Sequence, residues 1–115
     1  KVSFNADISR WDTSSVTTMY AMFRNARQFN QHLSRWDVSS VTNMGYMFYD
    51  AKSFNTMPDS WDTSSVGSTD YFLRYADAWY ARFTGGGEHT LPDRGWTRKD
   101  DACDASYPPD NGDVG

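Results

Sequence analysis

Cysteine, long apolar runs and branched aliphatic residues are all scarce in this chain of 115 residues. A single cysteine, Cys103, excludes an internal disulfide and a Cys-rich zinc site. No stretch approaches the roughly 18 apolar residues of a membrane-spanning helix. Since the chain has only three Leu and one Ile, its core has to be built from aromatic rings and Met, and seven Phe, seven Tyr and five Trp are available for it.

An excess of one charge is also absent over most of the chain. Residues 1–84 carry eight basic and eight acidic side chains, whereas residues 85–115 carry three basic and seven acidic ones. The net charge of −4 therefore comes entirely from the C-terminal part. Because binding to a polyanion needs clustered positive charge, nucleic acid is not an expected partner.

What the chain does contain is a repeat. Three consecutive segments of 25 residues align without insertion or deletion, and they read FNADISRWDTSSVTTMYAMFRNARQ, FNQHLSRWDVSSVTNMGYMFYDAKS and FNTMPDSWDTSSVGSTDYFLRYADA. A fourth copy begins at Trp79 and ends in a run of glycines. The aromatic and polar positions that recur in all three segments include Phe4, Phe29, Phe54, Asn5, Asn30, Asn55, Trp11, Trp36, Trp61, Asp12, Asp37 and Asp62.

Unbroken spacing of this kind is typical of a solenoid, in which each repeat contacts only its neighbours. Apolar residues three to four apart, from Val16 to Ala26 in the first copy, predict a helix of two to three turns, and the preceding residues predict a short strand. The predicted fold is therefore an α/β, leucine-rich-repeat-like solenoid of three coils at about 4–28, 29–53 and 54–78, with a cap at 79–84. Residues 85–115 predict a Gly/Pro-rich acidic tail, with a flexible hinge at Gly85–Gly87.

The recurring Asn and Asp are interpreted as structural. A polar side chain at a fixed place in each repeat can satisfy backbone groups that turns leave unpaired. The alternative is a row of carboxylates that binds calcium, but calcium takes six to eight oxygens from a tight cluster, and Asp12, Asp37 and Asp62 recur singly. No metal site and no cofactor are predicted.

The pattern FNxxxSxWDxSSVTxMxxMFxxAxxFN resembles the BspA-like surface repeat, which is also found in mycoplasma-type lipoproteins and in large secreted proteins of unicellular eukaryotes. The resemblance covers Phe4 to about Ala78 and departs most in the third copy, where Pro58 replaces Ile8 and Leu33. It implies an extracellular solenoid used for adhesion or recognition, without catalytic residues.

The C-terminal part carries a second resemblance. The stretch GWTRKDDACDASYPPDNGDVG is similar to the linker before a Cys-rich module in modular surface proteins of algae and protists. This resemblance implies that Cys103 is the first cysteine of a disulfide-bonded module and that the segment comes from a longer modular protein. A free structural cysteine is the alternative.

Residues that could carry catalysis are few. His32, His89 and Cys103 could supply a Cys–His nucleophile, but neither the spacing nor a local motif of that class is present. Paired carboxylates for glycoside hydrolysis are conceivable among the Asp residues, yet a catalytic pair would break the symmetry of the repeat. The sequence predicts a protein that is not an enzyme.

Aromatic side chains beside the apolar stripe are the one feature that points to binding. Tyr20, Tyr46 and Tyr71 lie there in successive copies and are interpreted as one repeat position. Such a row could stack on sugar rings or on a partner protein's apolar patch, or it could only cover the seam between repeats. Arg10 and Arg35 also recur, next to tryptophans, and would add a small basic row.

The sequence thus predicts a non-catalytic, extracellular or cell-surface recognition or adhesion module. Its expected partner is a protein or a glycan at a cell surface or in an assembly, since repetition suits weak multivalent contacts. Direct membrane insertion is not expected. Two alternatives stay open: a carbohydrate-binding domain that uses the tyrosine row, and a structural subunit that packs sideways in a larger assembly.

Overall fold

The computed structural model describes residues 3–99. In that range the regular elements are α1 (Asp77–Arg82), β1 (Phe83–Thr84) and β2 (Thr97–Arg98). The two strands pair antiparallel, with Phe83 opposite Arg98. All three elements lie at or after the end of the third repeat, so the repeats themselves are built from turns and irregular segments.

Each repeat contains a ribbon of overlapping turns at the place where the sequence predicts a helix. In the first repeat the N–H groups of Met22, Arg24 and Ala26 donate to carbonyls three residues earlier, with N···O distances of 3.0 to 3.2 Å. Ala21 and Asn25 have φ values of 56° and 62°, and a residue in the left-handed region cannot continue a right-handed helix. The later repeats follow the same course, with positive φ at Tyr46, Asp50, Tyr71 and Tyr75.

Backbone hydrogen bonds join each ribbon to the next. The N–H groups that alternate with those used inside the turns donate to carbonyls of the following repeat, over 2.8 to 2.9 Å. Parallel bridges between Thr18, Asn43 and Ser68 mark the register. The donor–acceptor pairs are Met19–Asn43, Ala21–Gly45, Phe23–Met47, Asn25–Tyr49, Met44–Ser68, Tyr46–Asp70, Phe48–Phe72 and Asp50–Arg74.

The predicted α/β, leucine-rich-repeat-like solenoid of strand-and-helix coils is wrong. The described residues form a small compact body made mostly of turns, with one short helix and one two-stranded sheet. The apolar spacing misled because a ribbon that turns at every second residue brings Met19 and Phe23 to the same side, as a helix would. Both side chains are buried, so burial periodicity alone does not separate the two structures.

Aromatic rings form the centre of the core. Phe29 stacks between Phe4 and Phe54, with ring centroids 5.7 and 6.1 Å away, and Trp79 continues the row 5.6 Å from Phe54. Phe48 stacks on Phe54 from the side at 4.0 Å. Burying one large apolar side chain stabilises a fold by roughly 1.5–3 kcal/mol. The ring row therefore supplies much of the apolar stabilisation that Leu and Ile usually provide.

Residues 85–96 fold back over the third repeat and α1. Trp96 packs edge-on against Trp79 at 5.6 Å, and Leu91 is fully buried. Gly86 lies directly against the Trp96 ring, since a Cβ at this position would be 2.6 Å from Trp96 Cε2. The sequence predicts a hinge at this glycine run, but in the structure the middle glycine of the run packs against a tryptophan ring.

Candidate recognition surface

One side of the repeats carries five tyrosines with arginines between them. Neighbouring tyrosine rings lie 5.3 to 5.7 Å apart, centroid to centroid. Tyr46 contacts three of the other rings, and the side chains of Tyr20 and Tyr75 are 52% and 48% exposed. We call this surface the tyrosine face, and its members are Tyr20, Tyr46, Tyr49, Tyr71, Tyr75, Arg24 and Arg74.

The 25-residue register corrects one feature of the predicted tyrosine row. Tyr46 and Tyr71 are equivalent to Ala21, whereas Tyr20 is equivalent to Gly45. The interpretation of the three tyrosines as one repeat position is therefore off by one residue. A Cβ on Gly45 would lie 3.4 Å from Tyr20 Cδ1, so the Tyr20 ring lies next to Gly45, in reach of Tyr46.

The two arginines occupy the gaps between the rings. The Arg24 guanidinium lies 5.5 Å from the Tyr46 centroid and 5.2 Å from that of Tyr49. Arg74 lies 4.9 Å from the Tyr71 centroid and 5.0 Å from that of Tyr75, and both of these rings belong to its own repeat. Such cation–π contacts stabilise an exposed site by about 0.5–1 kcal/mol each. Cations and rings therefore hold each other in place along the face.

Sequence reasoning missed four members of the tyrosine face: Tyr49, Tyr75, Arg24 and Arg74. Arg24, Tyr49 and Arg74 are 25 residues apart and therefore occupy equivalent positions in the three repeats. This signal is missed if only identical residues are compared between repeats. The second repeat supplies the ring, and its neighbours supply the cations.

The predicted basic row lies in a different segment of the repeat. Arg10 and Arg35 are exposed and precede Trp11 and Trp36, whose rings are 6.3 Å apart. Trp36 is buried and its Nε1 donates to the carbonyl of Ile8 over 2.9 Å, whereas Trp11 is 55% exposed. This segment is separate from the turn ribbon that carries the tyrosine face.

The Asp row closes local turns. Asp37 Oδ1 accepts hydrogen bonds from the Ser39 hydroxyl at 2.6 Å and the Ser39 backbone N–H at 3.0 Å. These two hydrogen bonds hold the pKa of Asp37 below its ordinary value. Asp12 and Asp62 contact the serine two residues later in the same way, and their pKa values are lowered too. Across residues 3–99 no group of three or more His, Cys, Asp or Glu is placed to hold a metal ion.

The Asn row links the repeats. Asn5 Oδ1 accepts the backbone N–H of Asn30 at 2.7 Å, and Asn30 Oδ1 accepts that of Asn55 at 3.0 Å. Asn30 Oδ1 also accepts the Thr56 hydroxyl at 2.8 Å. Asn30, Asn55 and Thr56 are all buried. These bonds therefore satisfy polar groups that water does not reach.

Of the three residues that the sequence offers for a Cys–His nucleophile, the structure describes the two histidines. His89 lies beside Tyr71, with ring centroids 4.8 Å apart, and its Nδ1 accepts the Tyr71 backbone N–H at 2.8 Å. His32 is half-buried in the second repeat. Cys103 and its predicted disulfide lie outside the described residues.

A buried carboxylate anchors the turn that carries the tyrosine face. Asp50 accepts hydrogen bonds from Arg27, with its Oδ2 2.7 Å from a terminal guanidinium nitrogen, and its Oδ1 lies 3.2 Å from Lys52 Nζ. Burial alone would raise the pKa of Asp50, but the hydrogen bonds from Arg27 and Lys52 outweigh it and lower the pKa. Lys52 also lies 3.2 Å from Asp77 and 5.5 Å from the Tyr75 ring, so it ties this carboxylate to the end of the face.

None of the helices within residues 3–99 has the length and apolar character needed to cross a membrane.

Neither a curated protein nor a solved structure matches the chain. A family model does match, over residues 1–84, and its family is described as a Mycoplasma protein of unknown function, DUF285. This match supports the resemblance to a mycoplasma-type repeat at the level of the family, but it does not support the predicted Cys-rich module. Since the match covers the three repeats and most of the chain, the protein belongs to the DUF285 family.

Proposed function

We propose that the protein is a non-catalytic recognition module that binds a protein partner at a cell surface through the tyrosine face. The alternation of rings and guanidinium groups along this face supports the proposal. Tyr and Arg are enriched in protein interfaces and among the residues that contribute most to binding. Neighbouring rings and cations already hold these side chains, so less rotamer entropy is lost when a partner binds.

The ring geometry favours a protein partner over a glycan. A sugar stacks on an open, flat ring face, but the Tyr46 ring meets those of Tyr20 and Tyr71 at 60° and 59°. The Arg24 guanidinium also lies over the Tyr46 ring. A row of tilted, partly covered rings offers apolar edges, hydroxyl groups and positive charge to a protein surface, but it offers no coplanar platform for a carbohydrate.

A surface location is compatible with the family, whose own function is unknown. The repeats carry balanced charge, which suits short-range contacts better than electrostatic steering. The other candidates from the sequence, a carbohydrate-binding domain and a structural subunit, become the rival outcomes of the experiment.

The test measures binding of the labelled chain to immobilised collagen, fibronectin, laminin and mucin and to a glycan array. Arg24→Gln removes one guanidinium from the tyrosine face and is compared with Arg10→Gln, since both arginines are exposed but belong to different segments of the repeat. For a protein that binds, we expect Arg24→Gln to weaken affinity by about tenfold, or about 1.4 kcal/mol, and Arg10→Gln to leave it unchanged.

Three results would overturn the proposal. A loss with Arg10→Gln but not with Arg24→Gln would move the binding site to the Trp11 segment. Binding to glycans alone, abolished by Tyr46→Ala, would establish the carbohydrate alternative. Absence of binding to every probe, together with association into a large assembly in sedimentation analysis, would favour the structural subunit.

A further inference from the structure

The first repeat carries a row of hydrogen-bond acceptors on the side that faces away from the second repeat. These are the carbonyl oxygens of Thr18, Tyr20, Met22 and Arg24, and no donor among the described residues reaches them. Their equivalents in the second repeat each accept an N–H of the first repeat over 2.8 to 2.9 Å. We call this side of residues 4–28 the N-terminal face.

The N-terminal face also presents donors in the same register. Trp36 Nε1 donates to the carbonyl of Ile8, and Trp61 Nε1 donates to that of Leu33, over 2.9 and 2.8 Å. The third indole of this series is Trp11, which is 55% exposed. Thr42 N–H likewise donates to the preceding repeat, over 2.8 Å. Donors and acceptors on the face therefore follow the pattern used between repeats inside the chain.

Apolar surface accompanies these polar groups. An open cavity of about 330 Å³ lies at the N-terminal face and is lined by Phe4, Ile8, Trp11, Met22 and Phe23. Inside the chain the equivalents of Phe4 stack on one another at 5.7 and 6.1 Å. The cavity therefore continues the ring row of the core to the surface.

The opposite end of the repeats is covered by the chain itself. Leu73 N–H donates to the carbonyl of Glu88 at 2.9 Å, and Tyr71 N–H donates to His89 Nδ1 at 2.8 Å. The Thr63 hydroxyl contacts the Asp93 carboxylate at 2.7 Å, whereas the equivalent hydroxyl of Thr13 donates to a carbonyl of the next repeat. Residues 85–96 thus supply acceptors in place of those of a further repeat.

This asymmetry decides which occupant fits. A second copy that brought its own acceptor row or its covered end to the N-terminal face would leave the Tyr20 and Met22 carbonyls without a matching row of donors. An extended peptide is also a poor match, because the acceptors come from a ribbon that turns at every second residue, whereas a strand advances about 3.3 Å per residue. The required occupant bears N–H groups on the same turn ribbon.

We propose that the N-terminal face is a docking surface for a further repeat of this 25-residue type whose donor edge is uncovered. The docked repeat would place the equivalents of Met19, Ala21, Phe23 and Asn25 N–H against the acceptor row, as the first repeat does on the second. Its Phe would stack on Phe4, and a carbonyl of its Ile8-equivalent would accept the Trp11 Nε1–H. This interface shares Tyr20 and Arg24 with the tyrosine face, but it uses their backbone carbonyls and not their side chains.

The test inserts a second copy of residues 29–53 between Ser3 and Phe4 of the full chain, which preserves the 25-residue spacing. The matched control carries the same 25 residues in scrambled order. We expect the inserted equivalents of Met44, Tyr46, Phe48 and Asp50 to exchange their amide hydrogens at least about 100-fold more slowly than the scrambled insert does. The emission of Trp11 should shift to shorter wavelength, and the melting temperature should rise above that of the control.

Two results would overturn the inference. In the first, the inserted amides exchange as fast as those of the scrambled insert while the original repeats keep their protection. In the second, the natural chain forms a dimer in light scattering, and dilution to monomer exposes Trp11, which would make a second copy the occupant.

Discussion

Asn30→Ala removes a side-chain oxygen that accepts two hydrogen bonds in the interior between the second and third repeats. The donors are the Asn55 N–H at 3.0 Å and the Thr56 hydroxyl at 2.8 Å, in residues that are 3% and 0% exposed. Each buried donor left without an acceptor costs about 1–3 kcal/mol, so the free energy of unfolding should fall by roughly 2–6 kcal/mol. A domain of this size has about 5–15 kcal/mol in total, and the loss is therefore a large fraction of it.

The matched control is Asn5→Ala at the same position of the first repeat. Asn5 is exposed, and its Oδ1 accepts the Asn30 N–H, so water can replace part of this bond and the expected cost is about 1 kcal/mol. Urea unfolding followed by tryptophan fluorescence measures both variants. The slope of the unfolding free energy against urea concentration checks that unfolding is two-state. If the two variants differ by less than about 1 kcal/mol, burial does not set the cost, and the reasoning is refuted.

Two further predictions concern the C-terminal covering segment and the buried carboxylate. Gly86→Ala places a Cβ 2.6 Å from Trp96 Cε2 and should lower the free energy of unfolding by about 1–3 kcal/mol. Gly87→Ala, with open space around the new Cβ, should change it little, and equal effects would contradict the packing argument. The pKa of Asp50 is lowered in the folded protein. The contribution of this carboxylate to the free energy of unfolding is therefore complete above the ordinary Asp pKa of 3.8, and it is lost as the pH falls through the lowered pKa. The stability advantage over Asp50→Asn should therefore shrink below about pH 4, and a constant difference down to pH 2 would contradict it.

Much of the core was predictable from the sequence, because it depends on residue type and spacing. The 25-residue period and the scarcity of Leu and Ile indicate that equivalent rings stack, and Phe4, Phe29 and Phe54 do so. The predicted helices were wrong because apolar spacing reports which side chains are buried but not the sign of φ between them. Ala21 and Tyr46 adopt positive φ although neither is a residue type that favours it. In this conformation their N–H groups donate to carbonyls of the next repeat, over 2.9 and 2.8 Å.

The candidate surface was predictable only in part. Tyr20, Tyr46 and Tyr71 were recognised as possible binding residues, and the structure brings their rings together. Both arginines were missed: Arg74 contacts rings of its own repeat, whereas Arg24 contacts the rings of the next repeat. Contacts that cross from one repeat to the next follow from the offset between ribbons, which a linear reading of one repeat does not contain.

The sequence by itself determined the period, the aromatic core and the row of Asn side chains, because each follows from identical residues at identical spacing. The tertiary structure decided the direction of the hydrogen bonds between repeats. Within residues 3–99 no donor reaches the carbonyls of Thr18, Tyr20, Met22 and Arg24, whereas Glu88, His89 and Asp93 cover the other end. The physical reason is that a backbone N–H or C=O is present at nearly every residue, so only the path of the chain in space decides which of these groups meet a partner.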